Sequence, residues 1–190
     1  VCTGEEFGLE LLSGDRTLRW PVASFGPLDE HCKPNWRTRT MPAALPAAAH
    51  DQLDAFVEDV TARLAPLGPW QIDFAVDDGR LSVLEINGRF GGMSHLSHAA
   101  TRLDPYDALV RLVLDGTLPQ DPPAVRTAMH LPLRLGVRLP PLPPGMTLTR
   151  EHRTPTETGR PVHICRTLVA AEEPALRAWL DALPPDALAH

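Results

Sequence analysis

Residues 71–92 read QIDFAVDDGRLSVLEINGRFGG, and this stretch decides the fold. Two runs of β-favouring residues, 71–77 and 80–87, flank Asp78-Gly79, a dipeptide suited to a tight two-residue hairpin turn. Side chains alternate across a strand. Glu85 and Asn87 therefore share one face and Leu84 and Ile86 the other, while Ile72 and Phe74 oppose Gln71 and Asp73 on the first strand. Register then matters. A plain two-residue loop with Asp77 opposite Arg80 sets Leu84 across from Asp73. An odd loop length, or a bulge at Gly79, sets Glu85 across from or diagonal to Asp73. Burying Ile72, Phe74, Leu84 and Ile86 together requires the second arrangement.

That register brings two carboxylates and an amide to one surface. Facing carboxylates repel unless positive charge lies between them. Magnesium meets the need, since it takes hard oxygen ligands, commonly one or two carboxylates plus phosphate oxygens. Arg89, just past the strand, is suited to a phosphoryl group or a carboxylate. Gly88, Gly91 and Gly92 allow backbone to approach a ligand closely. A solvated sheet face with ordinary surface charges produces the same spacing, and spacing alone leaves both readings open.

Outward from the hairpin, Ala47 to Leu64 has helical periodicity, with Leu53, Phe56, Val57, Val60 and Leu64 as an apolar stripe ended by Gly68-Pro69. Before it, Gly4–Leu12 and Thr17–Ser24 read as a first hairpin around SGDR, and Gly26–Thr40 as a polar, basic loop. After the Gly-rich turn come helical segments near 94–100 and 105–115. The linker GTLPQDPPA closes a unit spanning residues 1–118. Residues 119–190 form a smaller segment with strands expected near 127–139, 146–153 and 161–170 and a helix near 174–183. The fold class expected is α+β, an antiparallel sheet backed by helices with a small β-rich C-terminal segment.

The 190 residues carry a net charge of -6, which argues against nucleic acid as the main partner. Composition is that of a globular domain, 43% hydrophobic and 22% charged, without a run of membrane-spanning length. Three cysteines, Cys2, Cys32 and Cys165, have no metal-like spacing and read as free thiols. With no signal-peptide pattern at residues 1–10, the expected location is the cytoplasm. The sequence begins at Val1 as if already inside a sheet, which reads as one part of a longer protein.

The segment QIDFAVDDGRLSVLEINGRFGG resembles the metal-binding segment of the ATP-grasp superfamily, closest to its carbamoyl-phosphate-synthase-large-chain-like, carboxylate–amine ligase group. A second match is TGEEFGLELL, similar to the G-x-E-[FY] sequence that follows the adenine-holding hinge in that family. The resemblance covers residues 1–118. It implies that Asp73, Glu85 and Asn87 hold two magnesium ions on ATP, with Glu85 bridging and manganese able to substitute. It also implies that Arg89 steadies an acyl phosphate and that Glu6 accepts from the ribose hydroxyls. The family's usual proline after the Asn is Gly88 here, which loosens the turn.

The loop HCKPNWRTRT matches the place where related enzymes carry basic residues toward phosphates or substrate, making Lys33, Arg37 and Arg39 candidates. Trp36 either packs on that loop or covers substrate. His95 and His98, three apart at a helix start, suit a pocket lining or a cap better than a metal site. The family's Gly-rich phosphate loop and hinge-side lysine have no counterpart here, so an N-terminal half of the unit is an expected partner, and the chain alone is expected to be inactive. The resemblance implies a ligase that activates a small-molecule carboxylate for attack by an amine or similar nucleophile, without membrane or nucleic-acid partners and with a homodimer open to it. The alternative is a non-catalytic ATP-grasp-like module that binds nucleotide or a partner.

Overall fold

A computed structural model describes residues 4–28, 38–134, 136–151 and 164–188. The strands are β1 (Glu5–Ser13), β2 (Thr17–Arg19), β3 (Ala23–Pro27), β4 (Arg39–Met41), β5 (Gly68–Asp77), β6 (Arg80–Asn87), β7 (Thr127–Arg134), β8 (Thr147–Glu151) and β9 (Ile164–Ala171). The helices are α1 (Ala47–Leu64), α2 (Ser94–Thr101), α3 (Pro105–Asp115) and α4 (Glu173–Asp181). All the strands join one antiparallel sheet in the order β6-β5-β1-β3-β4-β7-β9-β8, with β2 beside β1. The C-terminal segment is β-rich, and its strands extend the same sheet through the β4–β7 pairing.

The strand expected over Thr17–Ser24 is interrupted. Pro21 has no N–H for the ladder, so the chain pairs as β2, leaves the sheet at Trp20–Val22, and returns as β3. α1 forms over the expected residues, and its buried stripe is Ala49, Leu53, Val57 and Val60. Leu64 is exposed, and the helix stops at Ala65, a non-glycine residue in the left-handed region (φ 42°) whose N–H reaches Thr61 O. Gly68 (φ 95°) opens β5 and does not cap the helix.

The hairpin turn is the expected one: Asp78 and Gly79 both have positive φ, 48° and 73°, as a type I′ turn requires. Pairing runs plainly from Asp77↔Arg80 to Phe74↔Val83, then shifts so that Asp73 faces Glu85, Ile72 faces Ile86 and Gln71 faces Asn87. The extra residue is Leu84, so the bulge lies midway along the hairpin and not at Gly79. One expectation fails. Leu84 and Ile86 are 40% and 45% exposed, because β6 is the sheet edge, and Leu81 and Val83 pack on the core in their place.

Alternation along β1 divides the two faces. Phe7, Leu9 and Leu11 join Trp70, Ile72, Phe74 and Val76 under α1. Glu6, Gly8 and Glu10 lie on the opposite face. There Gly8 has no room for a side chain: a Cβ would meet the Phe25 ring at 2.6 Å and Met93 Sδ at 2.9 Å. Phe25 and Met93 belong to the second apolar layer, built with Ala23, Met41, Leu96, Ala99 and Ala100 around α2. α2 thus covers the middle of the sheet, while towards the β6 edge Asp73 and Asn87 are only half-buried and Glu85 is exposed. No helix among the described residues is long and apolar enough to cross a membrane.

Candidate functional site

The polar face is set by backbone pairing. Asp73 pairs with Gly8 on one side and Glu85 on the other, and Gln71 lies between Glu10 and Asn87. Asp73, Glu85 and Asn87 therefore share one surface at the edge of the sheet. Asp73 and Asn87 are half-buried and Glu85 is exposed. Gln71 Nε2 donates to Asp73 Oδ1 at 2.6 Å.

Burial pushes the Asp73 carboxyl above the usual carboxylate range, and Glu85 across the ladder pushes the same way. The Gln71 hydrogen bond and the charges of Arg39 and Arg89 oppose that rise. Arg89 is exposed and donates from Nη1 to Phe90 O at 3.4 Å. Arg39, on β4, lies with its guanidinium carbon 4.5 Å from the Phe25 ring centroid, a cation–π geometry that stiffens a long side chain. Its Nη1 is 3.9 Å from where a Cβ on Gly92 would stand. The Gly91-Gly92 turn and two arginines thus border the carboxylate pair.

Glu6 is buried on the same face of β1, opposite Ala75, two residues from Gly8 and so beyond the Asp73–Glu85 pair along the strand. Glu5 points the other way, exposed, and accepts from Ser24 Oγ. Lys33, Arg37 and Trp36 lie outside the described residues. His95 and His98 are both exposed, and His98 Nδ1 lies 3.0 Å from Asp104 Oδ2, beside the start of α3, where Asp104 Oδ1 caps Tyr106 N–H. That pairing makes His98 part of the α2–α3 corner.

Glu10 is the residue that the sequence reading passed over. It is fully buried, and it accepts hydrogen bonds from Ser94, Ser97 and the Gly91 amide. The signal was present: in EEFGLE, the period of two places Glu10 on the face of Glu6. Burial raises its pKa, the three hydrogen bonds oppose the rise, and Asp73 adds to it.

Among the described residues, no three His, Cys, Asp or Glu side chains converge on one point. The donor set is two carboxylates and an amide, all oxygen. That suits magnesium, which completes its octahedron with water and phosphate oxygens and avoids all-protein cages. Zinc or another nitrogen- and sulfur-seeking metal finds no matching ligands here.

The raised carboxyls predict a pH dependence. A carboxyl whose folded pKa is raised binds its proton more tightly when folded, so stability falls as pH rises through the window from the ordinary value to the raised one. Without metal, denaturant unfolding followed upward from about pH 4, the ordinary carboxylate range, is expected to show this cost growing with pH. Asp73→Asn is expected to flatten that slope and to raise neutral-pH stability. An identical slope in the variant contradicts the expectation.

No protein-family model and no curated protein matches the chain. Solved structures do. N5-carboxyaminoimidazole ribonucleotide synthetase from Thermus thermophilus superposes with a TM-score of 0.70 at 17% identity, over 95% of this chain and 50% of that one. Biotin carboxylase from Campylobacter jejuni, in a β-γ-ATP complex, gives 0.69 at 13% identity, over 97% and 46%. L-amino acid ligase from Bacillus licheniformis gives 0.65 at 16% identity, over 96% and 53%. The chain thus spans about half the length of each. The likeness covers nearly all of this chain and so also runs through the C-terminal segment, beyond residues 1–118. The chain carries the α+β fold of the C-terminal part of ATP-grasp enzymes.

Proposed function

We propose that this chain is the ATP- and magnesium-binding portion of an ATP-grasp ligase that activates a small carboxylate as an acyl phosphate. The observation carrying the reading is the bulge at Leu84, which turns Glu85 to face Asp73 on the polar side, beside Asn87, Arg89 and Arg39. A structural hairpin gains nothing from placing two carboxylates opposite each other at its edge.

Asp73, Glu85 and Asn87 would hold magnesium, with Glu85 bridging two ions. The metal, when bound, neutralises charge developing between the β- and γ-phosphates. Glu6 accepts hydrogen bonds from the ribose hydroxyls. Arg39, stacked on Phe25, orients the incoming carboxylate. A carboxylate oxygen attacks the γ-phosphorus, and the bond to the β–γ bridging oxygen breaks, releasing ADP. Arg89 holds the acyl phosphate, and the nucleophile's lone pair attacks the acyl carbon, expelling phosphate.

The protein's part is positioning and charge, since phosphoryl transfer asks little covalent chemistry of it. Phosphate release by the complete protein, measured with magnesium-ATP against a panel of amino acids and small carboxylates, tests the reading. Stimulation by at least one carboxylate–amine pair is expected, and ATP binding without turnover on any pair contradicts it.

A second expectation concerns these 190 residues by themselves. On this reading they supply one wall of a nucleotide site, and the Gly-rich phosphate loop and hinge-side lysine of ATP-grasp enzymes have no counterpart among them. Calorimetry is expected to find only weak magnesium-ATP binding, because a nucleotide held on one side keeps much of its water and freedom. Low-micromolar affinity contradicts that expectation.

A further inference from the structure

Glu10 is fully buried on the polar face, where an apolar residue would pack without the cost of desolvating a carboxylate. Its partners explain what the charge does there. Oε1 accepts from Ser94 Oγ at 2.6 Å and from the Gly91 amide at 3.3 Å, and Oε2 accepts from Ser97 Oγ at 2.7 Å. Ser94 and Ser97 are buried as well, and Ser94 Oγ also lies 3.2 Å from Gly91 O. Every one of these donors belongs to the turn that follows Arg89 or to the first turn of α2. One carboxylate on the central strand β1 thus fastens the whole Gly91–Ser97 segment.

The same turn presses on Gln71, the cross-strand neighbour of Glu10. A Cβ at Gly91 would stand 1.8 Å from Gln71 Oε1, so the amide fills the space that a side chain there would need. Gln71 is buried, its Oε1 has no hydrogen-bond partner among the described residues, and its Nε2 is committed to Asp73 Oδ1. The amide is held by Asp73 on one side and by the Gly91 backbone on the other. Contacts therefore run without a gap from Ser97 through Glu10 and Gly91 to Gln71 and Asp73.

We propose that Glu10 is a positioning residue: it clamps the Gly91–Ser97 segment to β1, which fixes the exit path of Arg89 and, through Gln71, the direction of the Asp73 carboxylate. Its consequence for turnover rests on the functional reading above. Its consequence for the turn does not.

The test is Glu10→Gln in the complete protein, which keeps the size of the side chain and removes the second anionic acceptor. Amide hydrogen exchange at residues 88–94 is expected to accelerate about tenfold while exchange within α1 stays as in the parent protein. Where the parent turns over ATP, kcat is expected to fall about tenfold or more with a smaller change in KM for magnesium-ATP, because the site is still present but misaligned. Glu10→Asp, which keeps the charge, is expected to recover part of kcat.

Unchanged exchange at 88–94 overturns the proposal, and so does normal kcat in a variant whose turn has loosened. If the parent protein turns over no ATP, the functional reading falls, and the exchange result alone decides the clamp. If Glu10→Gln does not fold, Ser97→Ala is read in the same way, since it removes one donor and leaves the carboxylate in place.

Discussion

On the function proposed above, replacing Glu85 with glutamine in the full protein is expected to lower ATP turnover by about a hundredfold or more, several kcal/mol of barrier, at saturating magnesium. The effect is expected to exceed that of Asp73→Asn or Asn87→Ala. Three features of the site set that order. Glu85 is exposed at the sheet edge, so its carboxylate is open to metal. Asp73 already accepts a hydrogen bond on Oδ1 from Gln71 Nε2, so part of its capacity as a ligand is taken up. Asn87 offers only a neutral oxygen. A bridging carboxylate serves two ions at once, and magnesium accepts a neutral amide poorly in place of an anion.

Stability is expected to move the other way. Removing one of two facing carboxylates relieves repulsion, so the metal-free variant melts at the parent temperature or above it. Steady-state turnover beside thermal unfolding, each with and without magnesium, makes the comparison. Near-normal turnover in Glu85→Gln, or outright unfolding, removes Glu85 from the bridging role.

What the sequence carried and what it left hidden differ by physical cause. α1 and the Asp78-Gly79 turn are local matters, a helical stripe and a pair of residues tolerant of positive φ, and both stand where the periodicity put them. The pairing of Asp73 with Glu85 is the one expected, but the burial of Leu84 and Ile86 from which it was argued does not occur, and the device that achieves the pairing was not legible. A bulge at Leu84 depends on how β6 sits against β5, and no residue type there announces it. The same tertiary fact, β6 being an edge, undoes the expected burial of Leu84 and Ile86. Pro21 should have split the second strand on its missing N–H alone. Glu10 was hidden in plain alternation because a charged residue in a strand reads as solvent-facing until a helix is known to cover it. That covering depends on α2 folding back across β4, β7 and β9, contacts that separate α2 from β9 by over sixty residues in the chain.

Phe74→Ala carries the largest expected loss of stability. Phe74 is fully buried beneath α1, and its ring stacks on Phe7 with centroids 5.7 Å apart. Truncation removes the transfer energy of the ring and leaves a cavity that a rigid sheet floor closes poorly, so the cost is about 3–5 kcal/mol. A domain's whole stability is only about 5–15 kcal/mol, and for a chain of this size the melting temperature is expected to drop by about 6–20 °C. Position sharpens the expectation. Phe74 pairs with Val83 at the last regular step before the register shift, and the next pair is Asp73–Glu85. The ring's packing holds β5 flat against α1 at the step where β6 takes in its extra residue. On the proposed function, Phe74→Ala in the full protein is therefore expected to weaken magnesium dependence as well as stability, even well below its melting temperature. Phe74→Leu, which refills most of the cavity, is expected to recover the larger share of both. Urea unfolding of the variants, followed by magnesium titration of turnover at a temperature where each is folded, separates the two effects. A Phe74→Ala protein as stable as its parent contradicts the core described here. One that is destabilised but titrates with magnesium as before shows that the bulge keeps its register without the ring.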